Sequence, residues 1–162
     1  MSILIQPRRP PAIRTHVQQR PAAAPARPAR PVIAAVDESA SGGAATAEAI
    51  ASARELGAPV VFVHVRRGPS TVWGTPFYER RLERSLRQGR EALAAAAARA
   101  RAAGVEVETE ILEGRPARRI AEFARDRDAR LVIVGPRRRR TGASVFRRVA
   151  AAGLPVVRAG VA

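Results

Sequence analysis

Cysteine is absent from this 162-residue chain, which excludes disulfides, thiolate metal sites and cysteine nucleophiles. Histidine is nearly so: His16 and His64 lie far apart and make no spaced metal motif, so neither a zinc site nor any other metal is expected. No Ser, His and Asp arrangement and no Gly-x-Ser-x-Gly elbow is found, which removes support for hydrolase chemistry. Lysine is also missing. All 29 basic residues are arginine, and with 14 acids they leave a formal charge of +15. Such a charge ordinarily points to phosphate polymers or acidic membranes. An all-arginine, alanine-rich composition instead carries the mark of GC-rich codons. Aromatic residues, at 4%, are too scarce for a base-stacking platform, so nucleic acid is not the expected partner. No apolar run approaches the roughly 20 residues of a membrane span. The opening Met1–Gln6 stretch meets Pro7 and Arg8 too soon for a signal h-region, and a cytoplasmic protein is expected.

What is present suffices for one domain with an unstapled core, hydrophobic residues making up 46% of the chain. Residues 1–30 hold six arginines, no acid and clustered prolines and alanines, a composition that predicts a disordered basic tail. From Pro31 to residue 162 the pattern is that of an α/β domain. Val32–Val36 is an apolar strand ending at Asp37, and Gly43–Leu56 is a small-residue helix stopped by Gly57. Val60–Val65 reads as a β-branched strand. A loop containing Trp73 follows it, the tryptophan expected to pin the loop to the domain. Tyr78–Ala103 reads as a long helix with Leu82, Leu86 and Leu93 on one face, ended by Gly104. Val105–Leu112 alternates with Glu106, Glu108 and Glu110, the pattern of a half-exposed edge strand whose acids also discourage edge pairing. Gly114-Arg115-Pro116 opens a third helix bearing Ile120, Phe123 and Ala124. Ala129–Val134 forms a fourth strand, Ser144–Ala152 a fourth helix and Leu154–Val157 a fifth strand. Five strands joined by four helices predict a three-layer parallel sheet with right-handed crossovers.

The turn after the fourth strand is the most informative segment. Gly135-Pro136-Arg137-Arg138-Arg139-Arg140-Thr141-Gly142-Ala143-Ser144 lies where a parallel sheet binds ligands, beside a helix N-terminus that favours anions. Four consecutive arginines suit bidentate phosphate recognition, but they also suit a solvated basic turn.

Several segments together resemble the universal stress protein family. Val32-Ile33-Ala34-Ala35-Val36-Asp37-Glu38-Ser39 is similar to its opening strand and Val-Asp-x-Ser signature, and Phe62-Val63-His64-Val65 to its second strand. Glu113-Gly114-Arg115-Pro116-Ala117 with Ile120 is similar to its Gly-x-Pro-x-x-x-Ile element. Leu131-Val132-Ile133-Val134-Gly135 and Pro155-Val156-Val157 complete a series covering about residues 31–158. The resemblance implies a Rossmann-like sheet of order 3-2-1-4-5. It also implies a nucleotide crevice at Ala35, Asp37, Val65, Gly135, Arg138, Gly142 and Ser144, with Asp37 near the adenosine and Val65 against the base.

The chain departs from the family's Gly-x2-Gly-x9-Gly-(Ser/Thr) phosphate loop. Gly135 and Gly142 fit its first and last glycines, but only six residues separate them. Arg138 stands at the middle glycine, and Ala143 replaces the hydroxyl residue. Glycine matters there because a Cβ blocks close approach of the backbone to a ligand.

Asp37 reads either as a ligand contact or as a turn or cap residue, with Ser39 and Ser41 the better caps of the first helix. His64 has no partner for proton transfer nearby in sequence and reads as a core or rim residue. The expectation is therefore a non-enzymatic binding or regulatory domain of stress response with a degenerate nucleotide loop and no cofactor. It is expected to pair as a homodimer through Val156 and Val157 and to contact further proteins. One alternative is an ATP-binding switch whose arginines hold the phosphates. Another is an anion or nucleic-acid binder using the tail, Arg137–Arg140, Arg147 and Arg148.

Overall fold

Five strands and four helices alternate along the residues described by the computed structural model, which are 30–37, 40–66, 76–135 and 141–160. They are β1 (Val32–Ala35), α1 (Ala40–Leu56), β2 (Val60–Arg66), α2 (Pro76–Ala102), β3 (Val107–Glu113), α3 (Pro116–Asp126), β4 (Leu131–Val134), α4 (Thr141–Ala151) and β5 (Val156–Arg158). The strands form one all-parallel sheet in the order β3-β2-β1-β4-β5, the order that the resemblance implies.

Strand periodicity divides the core into two layers. On one face Val32, Ala34, Val60 and Phe62 meet the alanines of α1 (Ala45, Ala49, Ala53) and α2 (Ala96, Ala100) together with Leu93. On the other, Ile33, Val61, Val63, Val132 and Val134 meet Ile120 and Ala124 of α3 and Val145 and Val149 of α4. Strand segments covered on both faces are apolar, which is why β1, β4 and the Val60–Val63 part of β2 stand out as unbroken runs. β3 is an edge strand, as its alternation predicts, and Glu106, Glu108 and Glu110 are exposed. Glu108 pairs with Arg127, beyond the end of α3.

The element ends differ from the sequence reading for local reasons. α1 begins at Ala40, a turn earlier than predicted, and runs through Gly42 and Gly43; Ser41 therefore lies inside the helix rather than capping it, while Ser39 lies outside the described residues. α2 begins at Pro76, since proline lacks only an N–H that a first turn leaves unbonded anyway. Val105 does not start β3. Its N–H instead donates to the Ala100 carbonyl at 3.0 Å and closes α2 behind Gly104, which has φ 73°. Leu154 likewise donates to Val149 at the end of α4, so β5 starts later and runs to Arg158. The expected tail lies outside the described residues except Arg30, whose Nε donates to the Asp128 carbonyl at 3.1 Å. No helix among the described residues is long and apolar enough to cross a membrane.

Candidate functional site

β1 lies between β2 and β4, and the chain leaves β1 and β4 toward opposite faces of the sheet, into α1 on one side and α4 on the other. Divergence of this kind opens a crevice at the carboxyl edge of the strands. Ala35 ends β1 opposite Val63, and the next N–H, of Val36, donates to the Val63 carbonyl at 2.9 Å. Asp37 follows at the exposed edge. Ala34 lies opposite Ile133, so Gly135, just after β4, stands at the level of Val36, just after β1. Val65 of β2 is half-buried and, like Ala35, packs against the layer formed by α3 and α4. The fold thus brings Ala35, Asp37, Val65 and Gly135 to one edge.

The opposite wall is the amino end of α4. Gly142 and Ser144 belong to its first turn, where backbone N–H groups lack helical acceptors and favour an anion. β4 ends at Val134 and α4 starts at Thr141, so only six residues, 135–140, connect them. Arg138 lies outside the described residues, as does Trp73. Arg158 is a residue that sequence reading passed over. It ends β5 opposite Val134, and its guanidinium lies 4.1 Å from the centroid of the Phe146 ring of α4. Its Nε is buried without a hydrogen-bond partner. Only its two-residue offset from Val156 in the strand hinted at this placement.

His64 turns the other way. Its Nδ1 donates to the Val36 carbonyl at 3.1 Å, which fixes a proton on that nitrogen, and its ring lies against Gly89 of α2. The histidine therefore ties β2 to the end of β1 as a rim residue. At the outer end of β2 Arg66 pairs with Glu113, and the Gly114 N–H donates to the Arg66 carbonyl at 2.9 Å. Gly114 has φ 130°, a backbone conformation that a side chain would strain, which explains glycine at the opening of the Gly-Arg-Pro element.

A cavity of 380 Å³ opens beside Val36 and Asp37, between Gly43 and Thr46 of α1 and Gln88 and Glu91 of α2. The larger hollow, 980 Å³, lies elsewhere, on the outer face between α3 and α4. Size alone would favour the latter, but the strand order and the amino end of α4 locate the crevice. Among the described residues no three His, Asp or Glu side chains gather to hold a metal ion. Among the described residues the edge carries backbone groups, small side chains and the Asp37 carboxylate.

Comparison with known proteins bears on this arrangement. The sequence profile of the universal stress protein family matches residues 28–152. A universal stress protein from Archaeoglobus fulgidus shares 28% identity, with TM-score 0.65, over 80% of this chain and 93% of its own. The Archaeoglobus fulgidus universal stress protein in complex with dAMP shares 26% identity, with TM-score 0.65, over 82% of this chain and 99% of its own. A member of the family from Burkholderia pseudomallei has the same fold, with TM-score 0.69 at 24% identity, over 85% of this chain and all of its own. Comparison with curated proteins gives no significant match.

Proposed function

The chain belongs to the universal stress protein family, and we propose that it is a non-enzymatic binding and regulatory member in which the phosphate half of the nucleotide crevice is degenerate. The observation that carries this reading is the short connection from β4 to α4. A backbone cradle needs glycines on a loop long enough to wrap the phosphates. Here α4 begins at Thr141, Gly142 is already helical, and arginine stands at the middle glycine of the family pattern. The placement of His64 supports the non-enzymatic part, because its ring is turned against Gly89 of α2 rather than toward the crevice.

A second reading retains an adenine nucleotide. It is favoured by the Archaeoglobus fulgidus relative in complex with dAMP and by Ala35, Asp37, Val65 and Gly135 at one edge. In it Arg137–Arg140 replace the lost cradle, since guanidinium groups bind phosphate bidentately. Nucleotide released by denaturing protein purified without added ATP, identified by chromatography and followed by calorimetry against ATP, separates the two. The degenerate site is expected to be empty and to give no ATP heat. A stoichiometric adenine nucleotide would replace that reading with the second, in which ATP raises the melting temperature and Arg138→Ala with Arg139→Ala abolishes the rise.

The domain is further expected to pair through β5. This is an edge strand, and its Val157, 40% exposed, is the exposed large hydrophobic residue among those described. Sedimentation at micromolar concentration should give a dimer and Val157→Asp a monomer; a monomeric parent protein would remove the pairing.

A further inference from the structure

The outer groove between α3 and α4 combines a small-residue floor with basic walls. Ala117 and Ala121 of α3 and Ala151 of α4, with Ala152 just beyond it, form the floor, Ala121 at its deepest, buried part. Arg115, Arg118 and Arg125 stand along one side and Arg147 and Arg148 along the other, all exposed. Among the described residues the single acid in the groove is Glu122. Arg118 and Arg119 both bond its carboxylate, at 2.6 and 2.9 Å, and the Arg118 hydrogen bond holds that carboxyl below the usual glutamate range. The acid is therefore ionised at neutral pH and already satisfied, and the groove presents a net positive face.

We infer that this groove receives an acidic amphipathic helix of a partner protein, its apolar side chains on the alanine floor and its carboxylates against the flanking arginines. Alanine on both helices lets a third helix approach closely, as in helix-in-groove recognition. α3 and α4 each have 11 residues, so the groove runs roughly 16 Å, about three turns of a docked helix. Charge complementarity selects the acidic flanks. A nucleic acid is the poorer occupant, because among the described residues no aromatic ring lines the hollow to stack a base and the surface is concave rather than protruding. The inference rests on the reading that the domain acts through protein contacts, and it stands apart from the crevice.

The test uses the full chain and a fluorescein-labelled peptide of about 15 residues, with leucine along one helical face and glutamate on either side of it. Fluorescence anisotropy should show binding. Arg125→Glu with Arg148→Glu should weaken it by at least about tenfold, whereas the equally charge-changing Arg54→Glu with Arg101→Glu, outside the groove, should change it less than about twofold. Ala151→Gln, at an exposed floor position, should weaken this peptide while leaving oligoglutamate unaffected. Equal losses from both arginine pairs would reduce the effect to general charge and overturn the proposal. So would preference for a duplex DNA of similar length that the groove pair abolishes. Nucleotide content is measured on the same preparations, so failure of the groove and failure of the proposed function are read separately.

Discussion

Phe62→Ala is expected to destabilise the domain by about 3–5 kcal/mol, a large share of the roughly 5–15 kcal/mol that keeps a domain folded. Phe62 is the largest fully buried side chain among the described residues, at 0% exposure, on the central strand β2 opposite Ala34. The helices facing it offer mostly methyl groups: Ala45, Ala49 and Ala53 from α1, and Ala96 and Ala100 from α2. Small neighbours in fixed helices cannot reach into the space left by the ring, so the cavity persists and the cost falls toward the upper end. Thermal unfolding should show a midpoint lower by about 10 °C or more. A shift of only a few degrees would mean that α1 and α2 close onto the sheet. Phe62→Leu, which keeps most of the volume, should recover the greater part of the loss.

The same arrangement explains what the sequence made legible. Strand positions buried on both faces must be apolar, so β1, β4 and the Val60–Val63 part of β2 read as unbroken runs and β3 as the alternating edge. Left-handed glycines closed α1 and α2 where Gly57 and Gly104 predicted. The start of α1 was less legible, because Gly42 and Gly43 weigh against a helix when propensity is the only guide. Packing of its alanines on β1 supplies what propensity lacks. Of the crevice, the strand-end members were readable, since each closes an apolar run. Their convergence came from the resemblance, because strand order is not written in periodicity. The groove was illegible for a different reason. Arg118 and Arg125 belong to one helix and Arg147 and Arg148 to another, and nothing in either run announces that the two helices are neighbours. Arg158 was hidden in the same way, its contact with Phe146 depending on how α4 crosses β5.

Gly89→Ala should destabilise the protein, against the usual sign of that substitution. Glycine inside a helix is worse than alanine by about 1 kcal/mol, so at an open position of a 27-residue helix the change would stabilise. Position 89 is not open. A Cβ there would stand 2.6 Å from Cδ2 of His64, 3.0 Å from Nε2 and 3.1 Å from Cγ. The overlap includes the root of the ring, so a small rotation of the side chain does not relieve it. Either α2 moves off the sheet or His64 leaves its place and forfeits the bond from Nδ1 to the Val36 carbonyl. Overpacking of this kind costs about 1–3 kcal/mol, and with an overlap at 2.6 Å the cost outweighs the propensity gain, so a net loss of up to about 2 kcal/mol is expected. A double-mutant cycle isolates the cause. In a His64→Ala background the ring is gone, and Gly89→Ala should then stabilise by up to about 1 kcal/mol. If Gly89→Ala were destabilising by the same amount with and without the ring, the contact with His64 would not be the reason for glycine at position 89. The reversal would instead show that this glycine exists to seat a histidine whose proton holds the carbonyl one residue before Asp37. On that outcome, the shape of the crevice edge depends on a helix position with no ligand contact of its own.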